Sequence, residues 1–129
     1  ARARFDRTGL GDRPVSFTAV ATLSDLDDGP LGIEVDHPTE GALPVVLVKS
    51  PDGDVHAMFD ECSHAHVKLS EGDFDEATCS LECYLHGSHF DVRTGAALNP
   101  PAIQPVPVYP VRVEDDQILV DVENPLKEN

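Results

Sequence analysis

Two short stretches of the chain concentrate side chains that can hold a soft or borderline metal. "ECSHAH", residues 61–66, carries Cys62, His64 and His66, and "CYLHGSHF", residues 83–90, carries Cys83, His86 and His89. Together they hold two of the three cysteines and four of the six histidines. Thiolate sulfur and neutral imidazole nitrogen are the ligands of zinc, copper and iron–sulfur centres. The shared core of the two stretches is Cys62-x-His64 and Cys83-x-x-His86, with 18 residues between His64 and Cys83.

Two thiolates and two imidazoles make a standard structural zinc set. The order along the chain argues against that use, because zinc sites commonly pair Cys with Cys and His with His at short spacing. Here each stretch supplies one of each. A lone ion gains nothing from that division. A two-iron cluster does, if one iron takes both thiolates and the other both imidazoles, so that each loop reaches both metals. A structural zinc-binding interaction domain stays open as the competing class. A red-brown protein with a rhombic EPR signal on reduction speaks for iron, and a colourless zinc protein speaks against it.

Such loops need rigid elements behind them, and the rest of the chain reads as strands. Pro and Gly interrupt every apolar run, which favours short strands over helices. "VSFTAVATL" (15–23) and "GIEVD" (32–36) read as strands. "PVVLVK" (44–49) is a continuous apolar run of strand length. "SPDGD" follows with an Asp-Gly turn signal, so "VHAMF" (55–59) should pair back on residues 45–49. "VKLSEGDFDEATCSLEC" (67–83) reads as a second hairpin, and "CYLHGSHFDVRTG" (83–95) as a loop, a short strand and a tight turn at Thr94-Gly95. Five prolines within "LNPPAIQPVPVYPV" (98–111) demand a loop and then an edge-like extended segment. "VRVEDDQILVDV" (111–122) closes with a hairpin turning at Glu114–Asp116. The fold class is therefore all-β, in one domain over residues 15–122, with an arginine-rich arm at 1–14 and a tail at 123–129.

The formal net charge is −15. Four of the nine basic residues, Arg2, Arg4, Arg7 and Arg13, lie in the first thirteen positions, leaving 22 acidic and 5 basic side chains over residues 14–129. That surface repels phosphate backbones, so nucleic acid is not the partner. No apolar stretch is long enough to span a membrane or serve as a signal-peptide core, so the expected location is cytoplasmic, without a membrane partner. Three cysteines without a secretion signal do not form a disulfide framework.

At "CSH" and "CYLHGSHFD" the sequence resembles the Rieske-type [2Fe–2S] ferredoxins, whose cluster loops read C-x-H and C-x-x-H-G. "NPPA", Asn99–Ala102, resembles the family's proline-rich third loop, and the likeness runs from about Val15 to Val122. The resemblance implies a β-sandwich or barrel-like antiparallel base carrying a small cluster-binding part at about residues 60–102. It implies a Rieske [2Fe–2S] cofactor held by Cys62, His64, Cys83 and His86. Ser88 would stand close behind the cluster, with Pro100 and Pro101 in the covering loop. Such a core is neutral when oxidised and singly negative when reduced, so it accepts an electron more readily than an all-cysteine cluster. Oxidation should also lower the pKa of the ligating imidazoles and couple electron to proton transfer at alkaline pH.

High-potential relatives carry an extra disulfide between the loops and a tyrosine near the cluster. This chain has Val67, Leu85 and Phe90 at those places, which predicts a potential toward the low end of a range of about −150 to +300 mV. The role implied is that of a one-electron carrier rather than an enzyme, taking electrons from a flavin-dependent reductase and passing them to an oxygenase or another acceptor. Related roles are an accessory module of iron–sulfur assembly and the small subunit of an assimilatory nitrite reductase. No residues remain for the separate catalytic iron site that an oxygenase large subunit needs.

The remaining candidates read as structural. His66 and His89 fit exposed or hydrogen-bonded neighbours of the loops, and Cys79 a small buried residue. His37 in a turn and His56 in a strand have no partner visible in the sequence. "EGDFDE" lacks the spacing of a calcium loop.

Overall fold

The computed structural model describes residues 17–27, 29–63, 67–85, 87–100, 102 and 104–126. The arm expected at 1–14 lies outside them, as do His64, His66, His86 and Pro101. Among the described residues, ten strands run in the order β1 (Thr18–Thr22), β2 (Leu31–His37), β3 (Gly41–Lys49), β4 (Val55–Phe59), β5 (Phe74–Asp75), β6 (Ser80–Glu82), β7 (His89–Asp91), β8 (Val108–Tyr109), β9 (Val111–Glu114) and β10 (Gln117–Val120). Two short 3-10 turns, Leu23–Leu26 and Leu69–Glu71, interrupt them. The class is all-β and every pairing is antiparallel.

Three sheets stack around β3. The middle sheet has the order β2-β3-β4-β8, one outer sheet β1-β10-β9 and the other β5-β6-β7. Side chains alternate across a strand, so β3 sends Val45 and Leu47 one way and Val46 and Val48 the other. Val45 and Leu47 join Val35, Ala57, Ile118 and Val120 in one apolar core, between the middle sheet and β1-β10-β9. Val46 and Val48 join Met58, Leu81, Phe90 and Val92 in a second core, against β5-β6-β7. This is why "PVVLVK" is apolar without alternation. A strand covered on both faces has no polar side, and each fully buried Val or Leu contributes about 1.5–3 kcal/mol.

The turns follow local chemistry. β3 and β4 pair as Val45↔Phe59 through Lys49↔Val55, the register anticipated from "SPDGD". Gly53 holds φ +96° there, a left-handed value that glycine adopts without strain. The closing hairpin turns on Asp115 and Asp116, both at positive φ, as a two-residue primed turn requires. Its strands pair from Gln117↔Glu114 to Val120↔Val111. At Thr94-Gly95 the Asp91 carboxylate accepts the Arg93 amide hydrogen at 2.7 Å, and Gly95 N–H donates to Asp91 O at 2.7 Å. A Cβ on Gly95 would lie 1.9 Å from Val106 O, so this turn is pressed against the proline-rich segment.

Two local features differ from the sequence expectations. β1 ends one residue before the end of "VSFTAVATL", because Leu23 begins a 3-10 turn; Val15 and Ser16 lie outside the described residues. The segment at 69–71 is a second such turn, and its Ser70 amide and hydroxyl donate to the buried Asp60 carboxylate at 2.7 and 2.6 Å. Leu126 N–H donates to Val108 O at 2.8 Å and bridges to the strand at the sheet edge.

Candidate metal centre

Cys62 follows β4 at the end of the middle sheet, and Cys83 follows β6 in the small outer sheet. Both thiols are buried, at 3% and 0% exposure, and both belong to the apolar core between those sheets. The two loops close alike. Cys62 N–H donates to Val67 O at 2.9 Å, and Cys83 N–H donates to Ser88 O at 2.7 Å. Each loop is thus a six-residue excursion pinned at its base by the cysteine's own amide. Inside the second loop, Gly87 N–H returns to Cys83 O at 2.9 Å with Gly87 at φ +83°. His64 and His86, the expected imidazole ligands, lie within these excursions but outside the described residues.

The third loop clasps both others. Ser63 Oγ donates to Gln104 O at 2.7 Å, tying it to the first. Asn99 ties it to the second: its Oδ1 accepts His89 N–H at 2.7 Å and its Nδ2 donates to Gly87 O at 3.0 Å. Pro100 is exposed on this loop. Ala102 is buried, and its amide donates to Ser88 Oγ at 3.0 Å. Asn99 and Ser63 were missed in the sequence. The one available signal was an Asn before two prolines, a residue whose amide can satisfy backbone groups that proline leaves without a ladder.

The donor set fits an inorganic cluster on an observation independent of the motif. Ser88 is completely buried. Its oxygen accepts from Ala102, and among the described residues no group accepts its hydrogen. A buried hydroxyl with an unspent donor costs about 1–3 kcal/mol unless an acceptor is supplied. A sulfide or thiolate beside Cys83 would supply one. Phe90 is also completely buried, and its side chain carries no hydroxyl. None of the three cysteines is in a disulfide.

The other candidates resolve as follows. His89 lies on β7 opposite Glu82, half-buried, with Nδ1 2.9 Å from Ser80 Oγ. Cys79 is 2% exposed in the β5–β6 turn at φ +55°, and burial pushes its thiol pKa up. His37 Nδ1 accepts the amide hydrogens of Thr39 and Glu40, both at 3.1 Å, and so orders the β2–β3 turn. His56 Nε2 is 3.3 Å from Ser50 Oγ, and burial lowers its pKa. Tyr84 and Leu85 in the second loop, and Leu98 beside His89, are about half exposed. Among the described residues no helix is long and apolar enough to cross a membrane.

The family description "Rieske [2Fe-2S] domain" matches residues 16–110. The ferredoxin subunit of biphenyl dioxygenase from Pseudomonas sp. (strain KKS102) is 34% identical over 107 residues, covering 83% of this chain and 93% of that protein. The solved ferredoxin of carbazole 1,9a-dioxygenase from Nocardioides aromaticivorans IC177 superposes with a TM-score of 0.73 at 38% identity, covering 82% of this chain and 97% of that one. A chain in a solved complex of reduced oxygenase and oxidized ferredoxin in carbazole 1,9a-dioxygenase superposes with a TM-score of 0.71 at 30% identity, covering 86% and 97%.

Proposed function

The chain belongs to the Rieske [2Fe–2S] family, and from that premise we propose that it is the one-electron carrier of an oxygenase system, fed by a flavin-dependent reductase and emptied by a terminal oxygenase. When bound, the cluster supplies a one-electron couple. Cys62 and Cys83 are the thiolate ligands in this reading, and His64 and His86 the imidazole ligands. The buried hydroxyl of Ser88, already accepting from Ala102 and still holding a hydrogen to give, is the observation that carries it.

The chain's own groups divide the work. The apolar core around Cys62 and Cys83 keeps water from the sulfur side. A hydrogen bond from Ser88 to cluster sulfur would favour the more negative, reduced state, while Phe90 would offer no second one, so the potential expected is toward the low end of the family range. Asn99 and Ser63 hold the third loop against both ligand loops. Tyr84, Leu85 and Leu98 form an exposed apolar rim where a partner can exclude water. The acidic surface, with a net charge of −15, steers encounter with basic partner faces. The expected location is the cytoplasm, where thiols outside disulfides persist.

The test is stoichiometric. Chemically reduced protein mixed with a terminal oxygenase should be reoxidised with one electron delivered per chain, at a rate that falls as salt is added. Failure to take up or release a single electron per chain would end the carrier reading.

A further inference from the structure

A groove of about 620 Å³ opens on the flank of the molecule beside the first ligand loop. Phe59, Val106, Tyr109 and Val122 give it an apolar lining, and Cys62 lines it too. Exposed carboxylates of Glu40 and Glu123 stand among its lining. Tyr109 is only 6% exposed, yet among the described residues its hydroxyl has no hydrogen-bond partner. Tyr109 is itself one of the lining residues, and an occupant carrying an acceptor, such as a peptide carbonyl, would give its hydroxyl a partner.

We propose that this groove binds the chain's own arginine-rich segment, residues 1–16, with Phe5 on the apolar lining and the neighbouring arginines on the rim carboxylates. Three observations converge on that occupant. The first is position. Thr18 pairs with Val120, and the groove residues Val122 and Glu123 follow two and three places later, so the segment enters beside the groove. Sixteen residues reach up to roughly 50 Å, far more than the groove requires. The second is charge. The segment holds Arg2, Arg4, Arg7 and Arg13, four of the nine cations in the chain, against a groove lined by carboxylates. The third is the anchor. Phe5 sits between Arg4 and Arg7 in "RARFDR", an apolar side chain flanked by cations, which matches an apolar lining with an acidic rim. Tethering makes the contact intramolecular, with an effective concentration in the millimolar range, so weak pairwise contacts suffice.

The chain's two tyrosines make the test simple. Full-length, cluster-loaded protein labelled with 3-fluorotyrosine gives two fluorine resonances, the exposed Tyr84 serving as internal control for Tyr109. Reversing Arg2, Arg4, Arg7 and Arg13 to Glu should shift the Tyr109 resonance and leave Tyr84 in place. Glu40→Lys with Glu123→Lys should shift it too, and combining both sets should move it back toward the wild-type position. All of this should be independent of protein concentration. The visible spectrum and melting curve of each variant report that it is folded and loaded. The proposal is overturned if the arginine reversals leave Tyr109 at its wild-type position. It is equally overturned if the shift scales with protein concentration, which would mean that the segment reaches a second copy.

Discussion

In the base of the molecule β2 and β3 pair at seven positions and β3 and β4 at five. In the layer that carries Cys83, β5 pairs with β6 at two positions and β6 with β7 at three. The base has long ladders and a core of Val, Leu and Ile sealed between two sheets. The ligand-bearing layer has stubs of strand, closed by side chains that serve backbone groups: Asp60 on Ser70, Asn99 on Gly87 and His89, Ser88 on Ala102. Burial and ladder pairing stabilise the first. The second needs polar clasps and, in this account, a cofactor. The contrast teaches that the site layer can be damaged while the base stands, but not the reverse.

The largest expected effect is Cys83→Ser. It should abolish cluster absorption while the far-UV circular dichroism of the sheets and a cooperative melt persist. A global loss of structure would erase the distinction between the two layers. Next is Leu47→Ala, which empties a fully buried position in the base. It should cost about 2–5 kcal/mol in denaturant melts and take the cluster with it at lower denaturant. Tyr109 supplies a milder test of the base. Burial pushes its pKa up to about 12 from 10.0. The folded chain therefore keeps a proton that the unfolded chain releases, so stability is complete below pH 10 and falls as pH rises from 10 to 12. Tyr109→Phe should flatten that alkaline loss. The smallest effect is Ser88→Ala, which should leave the melt of the base nearly unchanged and lower the reduction potential, read by redox titration. A potential that stays put would mean that the hydroxyl does not reach the cluster.

The base was largely legible because its signals are local. Asp52-Gly53 sets a turn, "PVVLVK" announces a strand covered on both faces, and Asp115-Asp116 closes the last hairpin. The cysteines were legible too, since a C-x-H and C-x-x-H pair is specific in combination. What escaped was nonlocal. Nothing near Asn99 shows that its amide will meet Gly87 and His89, ten and more residues back. Ser63 likewise meets Gln104 across 41 positions. The Leu126 amide meets Val108 O in the same nonlocal way. Such contacts depend on how the third loop folds over the other two, which no periodicity encodes.

The most direct measurement is iron and acid-labile sulfide analysis of the purified protein together with its EPR spectrum after reduction. Two irons and two sulfides per chain with a rhombic signal, all lost in Cys83→Ser, is the predicted result. One zinc per chain, no sulfide and no signal would contradict the account at its root.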